Sequence, residues 1–170
     1  MTDFKRQVNA TQHRDLRFIA EPGRFFVSAS TTVATKVYAR KGGKGNTQAL
    51  YIDDGVYGTF NNVVYDHYEP KPIRLASQLD TYTGEEADPI PTAVFGPTCD
   101  GLDQICPLDS TTLERVAVDD WLIFENMGAY THTASFVFNG YTHIPKKVHC
   151  LSSSLLNLSV SSSGSASETE

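Results

Sequence analysis

The sequence predicts a mainly β fold, a closed or nearly closed β-barrel of about six to eight short strands, and three observations carry that prediction. Apolar residues alternate with polar ones over short runs such as "TTVATKVYARK" and "ASFVFNGY". Glycine, proline and asparagine break those runs at regular spacing, as in "GGKGNTQ" and "FGPTCDG". Helical periodicity is scarce throughout. With 170 residues, the chain suits one domain, or one domain plus an appendage, and is long enough to bury a real core.

The elements follow in chain order. Residues 1–17 are polar and aperiodic, and "LRFIAEPGRFFVSAS" reads as a buried strand, the loop Glu21-Pro22-Gly23-Arg24 and the start of a short helix. "TTVATKVYARK" turns through "GGKGNTQ" into "ALYIDDGVYG", which makes a hairpin the natural inference. "FNNVVYDHYEP" continues as strand to Pro70, and "KPIRLASQL" forms another before the acidic loop "DTYTGEEADPIP". "TAVFGPTC" is a strand running into a loop, "DDWLIFENMGAYT" packs Trp121, Ile123 and Phe124 ahead of a glycine turn, and "ASFVFNGY" is the last strand. From Leu151 the chain is serine-rich and low in complexity, which reads as a disordered tail over residues 151–170.

Composition narrows the function. The net charge is -6, and the 14 basic residues form no stripe, so nucleic acid is excluded as a partner. No apolar run approaches a membrane span, and the N-terminus lacks an apolar export segment; the expectation is a cytoplasmic protein with no membrane partner. Three cysteines without a CxxC pair point to reduced thiols. The histidines show no metal-binding spacing, and His149 beside Cys150 reads as surface chemistry, so no metal is expected.

Four stretches carry chemistry. In "AEPGR", Glu21 offers a carboxylate, Gly23 a backbone that a ligand can approach closely, and Arg24 a guanidinium suited to phosphate. The ordinary alternative is a turn with a surface ion pair. In "YDH", Tyr65 and Asp66 end a strand and either serve a ligand or are simply solvated. "FGPTCDGLDQI" displays Cys99 and two aspartates on a tight loop, where the alternative is a buried structural cysteine beside two solvated acids. "FENMGAYT" places Tyr130 after a glycine turn, as a site residue or as a buried tyrosine with a satisfied hydroxyl.

Taken in order, "AEPGR", "DDGVYGTFNNVVYDH", "FGPTCDGLDQI" and "DDWLIFENMGAYT" resemble the C-terminal part of the eukaryotic ornithine decarboxylases, over roughly Leu16 to Gly140. The resemblance implies a C-terminal β-barrel like that of alanine racemase, over residues 31–150, preceded by the last strand and loop of a truncated (β/α)8 barrel in residues 1–30. It also implies pyridoxal 5'-phosphate as cofactor, L-ornithine as substrate, putrescine and CO2 as products, and a homodimer or a full-length decarboxylase subunit as partner. Glu21 would then face the pyridine nitrogen, and Arg24 with the Pro22-Gly23 backbone and Tyr130 would hold the phosphate. Tyr65 and Asp66 would bind the distal ammonium, Asp100 would reach it from the partner subunit, and Cys99, also given across the dimer, would protonate the α-carbon.

The sequence departs from that family in two ways. Phe25 follows Arg24 where the animal enzymes typically have tyrosine. None of the seven lysines matches the lysine motif that anchors the cofactor, so the chain alone is expected to be inactive. Three readings follow: an enzyme piece, a catalytically dead regulatory binder like the antizyme inhibitors, or a β-barrel association module. Retention of Glu21, Arg24, Asp66, Cys99, Asp100 and Tyr130 together favours the first.

Overall fold

The computed structural model describes residues 18–43, 45–75, 88–142 and 145–150. Residues 1–17, most of the acidic loop and the serine-rich tail, each assigned a conformation from sequence, lie outside the described residues, as do Lys5 and Lys44. The described chain is mainly β. Seven strands form one curled sheet: β1 (Val33–Gly42), β2 (Gln48–Ile52), β3 (Ile73–Leu75), β4 (Ile90–Phe95), β5 (Gln104–Cys106), β6 (Thr112–Leu113) and β7 (Trp121–Phe124).

The predicted hairpin is present. β1 and β2 pair antiparallel, with Arg40 opposite Leu50, around the glycine turn. The sheet order is β3-β7-β1-β2-β4-β5, with β6 also on β4. β2 and β4 run parallel, so the chain between them must cross over, and that crossing carries β3 to the far edge against β7. Among the described residues β3 and β5 do not pair, and the sheet is a curled half-barrel rather than a closed one. A register shift between Val94 and Phe95 bends β4 at the base of the loop that follows.

The core lies on the concave face. Val37, Leu50, Ile52, Phe60, Val94, Ile105, Leu122, Phe124 and Met127 are all buried there, and Phe60 meets Phe124 edge to face at 4.7 Å. Each such side chain contributes about 1.5–3 kcal/mol by leaving water. Gln48 is one of several polar side chains buried among the described residues, and its hydrogen bonds are made. The Gln48 amide donates to Thr92 Oγ1 at 3.0 Å and to the Glu114 carbonyl at 2.9 Å, and its oxygen accepts the Val116 N–H at 3.2 Å.

Four expectations are corrected. Phe18, Ile19 and Ala20, expected in a buried strand, form no regular structure and are exposed, Ile19 by 78%. A parallel barrel strand needs neighbours, and the described chain offers none at that place. "FNNVVYDHYEP" is helical at its start: a 3-10 turn at Thr59–Asn61 leads into one α-turn at Asn62–Tyr65. The Asp54 carboxylate imposes this by accepting the Gly55 and Thr59 N–H groups, which coils the chain. In β7 the inward residues are Leu122 and Phe124, whereas Trp121 is 42% exposed. "ASFVFNGY" forms only a single bridge, Phe138 to Tyr141, because Phe136 and Phe138 pack their rings on Tyr57 instead of pairing along a strand.

Candidate functional site

The "AEPGR" turn leads directly into a single helical turn, Arg24–Val27. What fixes its place is a close backbone approach from "FENMG". The Gly128 N–H donates to the Ser28 carbonyl at 2.8 Å, the Met127 N–H to Thr31 at 2.9 Å, and Ser28 Oγ to the Asn126 carbonyl at 3.1 Å. A β-carbon at Gly128 would stand 1.8 Å from the Val27 carbonyl oxygen, so no other residue permits this docking. Two residues further on, Tyr130 has φ +55°, a left-handed conformation that costs an aromatic residue on the order of 1–3 kcal/mol.

That conformation aims the Tyr130 ring at the first turn. The Arg24 guanidinium lies 5.0 Å from the ring centroid, and a β-carbon at Gly23 would stand 2.5 Å from the Tyr130 hydroxyl. Tyr130 is 55% exposed, which rules out the buried-tyrosine alternative. Asp66 arrives from the crossover, at the end of the Asn62–Tyr65 turn, and accepts from Arg24 Nη2 at 2.5 Å. Two distant motifs therefore meet on one ion pair with both side chains over a third exposed, worth no more than about 1 kcal/mol. Arg24 and Asp66 border a cavity together with His67, Tyr68 and Glu69. Glu21, Pro22 and Tyr65 stand beside the cluster by sequence and are exposed.

Cys99 and Asp100 occupy a second place. Among the described residues no hydrogen bond or ion pair links either of them to the Arg24–Asp66–Tyr130 cluster. Their loop is braced by Asp103, a buried carboxylate that accepts the Val56 N–H at 2.9 Å, the Thr98 N–H at 2.9 Å and the Thr98 hydroxyl at 2.7 Å. Gly55 and Gly96 leave room for it, since a β-carbon at either would come within 2.2 Å of Asp103 Oδ1. The alternative reading of this loop is thus inverted: the thiol is exposed and the second acid is buried. Cys106 is a buried thiol, pushed up to about 12 by burial, with its Sγ on the Pro70 carbonyl.

Tyr57 is a site neighbour that the motifs did not single out. Its hydroxyl donates to Asp100 Oδ2, while the Leu102 N–H donates to Asp100 Oδ1 at 3.0 Å. The Tyr57 hydrogen bond, and secondarily that of Leu102, holds Asp100 below its ordinary carboxylate range; the same bond lifts the Tyr57 phenol to about 12. The "DDGVYG" stretch belongs to one of the resembling motifs, but that motif gives Tyr57 no role, and nothing in its local pattern announces a contact with a loop over forty residues away. For a cofactor phosphate, Arg24 and the Tyr130 hydroxyl are a fitting cation and donor, and the bare Gly23 backbone lets that hydroxyl approach. None of the described lysines joins them; Lys36, for one, pairs with Asp119 at 2.6 Å.

Residues 25–128 match the family model for the C-terminal sheet domain of pyridoxal-dependent decarboxylases. The chain is 40% identical to antizyme inhibitor 2 of Xenopus laevis over 77% of its own length and 30% of that protein's. It is 43% identical to the chloroplastic ornithine decarboxylase of Nicotiana glutinosa over 75% of its length and 29% of the relative's. It thus spans about a third of the length of the curated relatives it matches. Among solved structures, the Paramecium bursaria Chlorella virus arginine decarboxylase bound to agmatine superposes with a TM-score of 0.65 at 28% identity, over 81% of this chain and 36% of that one. The lysine/ornithine decarboxylase of Vibrio vulnificus complexed with cadaverine gives 0.63 at 28% identity, over 80% and 34%.

Proposed function

This chain belongs to the pyridoxal-dependent decarboxylase family, and from that premise we propose that it is the C-terminal part of an ornithine decarboxylase that completes its active site across a dimer interface. The observation that carries the reading is the convergence of Arg24, Asp66 and Tyr130, from three separate motifs, at one place on the half-barrel, with Cys99 and Asp100 on a braced loop apart from them. Two groups of ligand-type residues that do not touch suit a site shared between two subunits.

Pyridoxal phosphate, when bound, supplies an electron sink for the pair released as CO2 departs. Arg24 and the Tyr130 hydroxyl would hold its phosphate, and Glu21 would keep a proton on the ring nitrogen. Asp66, beside Arg24 at 2.5 Å, would bind the distal ammonium of the substrate. Asp100, from the other subunit, meets the same ammonium. Two carboxylates around one cation select a diamino acid, since a substrate without that charge leaves them unpaired. The exposed Cys99 thiol would deliver a proton to the α-carbon once CO2 has left. Three cysteines without a CxxC pair are what supports a cytoplasmic setting.

The test is complementation. The chain alone, having no lysine to anchor the cofactor, releases no CO2 from ornithine. Mixed with a full-length ornithine decarboxylase subunit whose own counterpart of Cys99 is alanine, it restores decarboxylation in the mixed dimer. Cys99→Ala in this chain abolishes the rescue, and Glu21→Ala leaves it nearly intact. Equal loss in both variants, with mixed dimers confirmed by size and mass, overturns the shared-site reading. The 40% identity to an antizyme inhibitor favours a second reading, a regulatory binder. A chain that binds antizyme yet gives no rescue in any mixed dimer would establish that one instead.

A further inference from the structure

We propose that Tyr57 is a positioning residue for Asp100, fixing the depth at which that carboxylate meets the distal ammonium and hence the substrate chain length the site accepts. The inference rests on the reading of Asp100 as an ammonium-binding group and goes beyond it to a residue that no motif assigned.

The geometry is a clamp with no loose side. Asp100 has both oxygens engaged, Oδ2 by the Tyr57 hydroxyl and Oδ1 by the Leu102 N–H at 3.0 Å. Its carbonyl accepts the Asp103 N–H at 3.0 Å, so the backbone is held as well. A carboxylate held only by its neighbour Leu102 could rotate about its side-chain bonds, and the Tyr57 hydroxyl, from a distant segment, removes that freedom. Tyr57 is itself immobilised. Its ring stacks on Phe138 with centroids 3.8 Å apart and planes 4° from parallel, and Phe136 closes edge-on at 5.5 Å. Its carbonyl accepts the Phe136 N–H at 3.0 Å. The hydroxyl is therefore delivered to Asp100 by a ring that cannot swing.

That rigidity has a chemical use. Ornithine and lysine present the same ammonium at depths differing by one methylene, a difference that an apolar contact alone separates only about 10–200-fold. A carboxylate free to follow the ammonium would serve both, whereas one clamped at both oxygens favours a single length. The free lone pairs of an ionised carboxylate still suffice for the substrate cation after two are given to Tyr57 and Leu102.

Tyr57→Phe is the decisive variant, because it keeps the ring against Phe136 and Phe138 and deletes only the hydroxyl. On the 170-residue chain alone, a carbon-13 NMR titration of the Asp100 carboxyl reads the contact without any turnover: its midpoint rises toward the ordinary aspartate value in Tyr57→Phe. An unchanged midpoint overturns the proposal. In the complementing mixed dimer, Tyr57→Phe raises KM for ornithine about tenfold with kcat within about twofold, and the preference for ornithine over lysine narrows. Asp100→Asn raises KM at least as much, and adding Tyr57→Phe to it changes nothing more. If Asp100→Asn raises KM while Tyr57→Phe does not, the Tyr57 role falls and the Asp100 reading stands. If Asp100→Asn leaves KM unmoved, the ammonium reading itself fails and takes the Tyr57 role with it.

Discussion

The two halves of the candidate site are built on opposite principles. Arg24, Asp66 and Tyr130 are exposed or partly so, meet through one solvated ion pair and a cation–ring contact, and owe their placement to backbone docking at Gly128. Cys99 and Asp100 stand on a loop whose base is a buried carboxylate, Asp103, bonded to Val56 and Thr98. The difference teaches which half can keep its shape unaided. On the proposed function, a group that exchanges one partner for another is better held weakly, and a group that presents fixed chemistry to a different subunit is better braced from behind.

The largest effect that would break this comparison is at Asp103. Asp103→Ala leaves the buried Val56 and Thr98 N–H groups without an acceptor, and the expected loss is about 3 kcal/mol in chemical unfolding. Asp66→Ala is expected to cost under about 1 kcal/mol in the same assay. Similar losses at both positions would erase the distinction. Next comes Gly128→Ala, which drives a β-carbon into the Val27 carbonyl and must lift "FENMG" off the first turn. It should cost about 2 kcal/mol and reduce the affinity of the Arg24 side for inorganic phosphate, while leaving the Cys99 reactivity toward alkylating reagents unchanged.

The Tyr57–Asp100 bond gives a third, smaller effect that sharpens the contrast. Folding holds Asp100 low and Tyr57 high. The Asp100 contribution is present above its unfolded pKa and fades as pH falls through its depressed folded value. The Tyr57 contribution is present below about 10 and fades as pH rises through about 12. Loop order, followed by amide exchange at Leu102, should therefore be flat across neutral pH with losses at both extremes, and Tyr57→Phe should remove the alkaline limb. The smallest effect is on thiol labelling. Cys99 and Cys150 are exposed and should react at neutral pH, while Cys106, buried and raised to about 12, should stay unmodified until the chain unfolds.

These contrasts also explain what could be read from sequence. The β1–β2 hairpin was legible because alternation and a glycine turn are local signals that agree. Residues 59–65 were not, since Phe60, Val63 and Val64 look strand-like and the coil is imposed by Asp54 from outside the run. The expectation that Trp121 packs with Ile123 and Phe124 fails because register decides: Leu122 lies opposite the buried Thr35, which turns Trp121 to the outer face. Of the candidate site, the motif order singles out Arg24, Asp66, Tyr130, Cys99 and Asp100, and the structure brings the first three together. The motif order could not carry the Arg24–Asp66 pairing, the buried state of Asp103 or the hydroxyl of Tyr57, because each depends on a partner over forty residues away or on a neighbouring loop's fold.

The place of β1 between β2 and β7 also sets an order of events during synthesis. β2 follows its partner at once, but β7, which must cover the other side of β1, is made more than seventy residues later. Until Phe124 has left the ribosome, one rim of β1 presents unpaired N–H and C=O groups to any passing strand. The same late segment carries Gly128 and Tyr130. Closing that rim and aiming the tyrosine are therefore one event, and a nascent chain stalled before Trp121 has a sticky edge and half a site at the same moment.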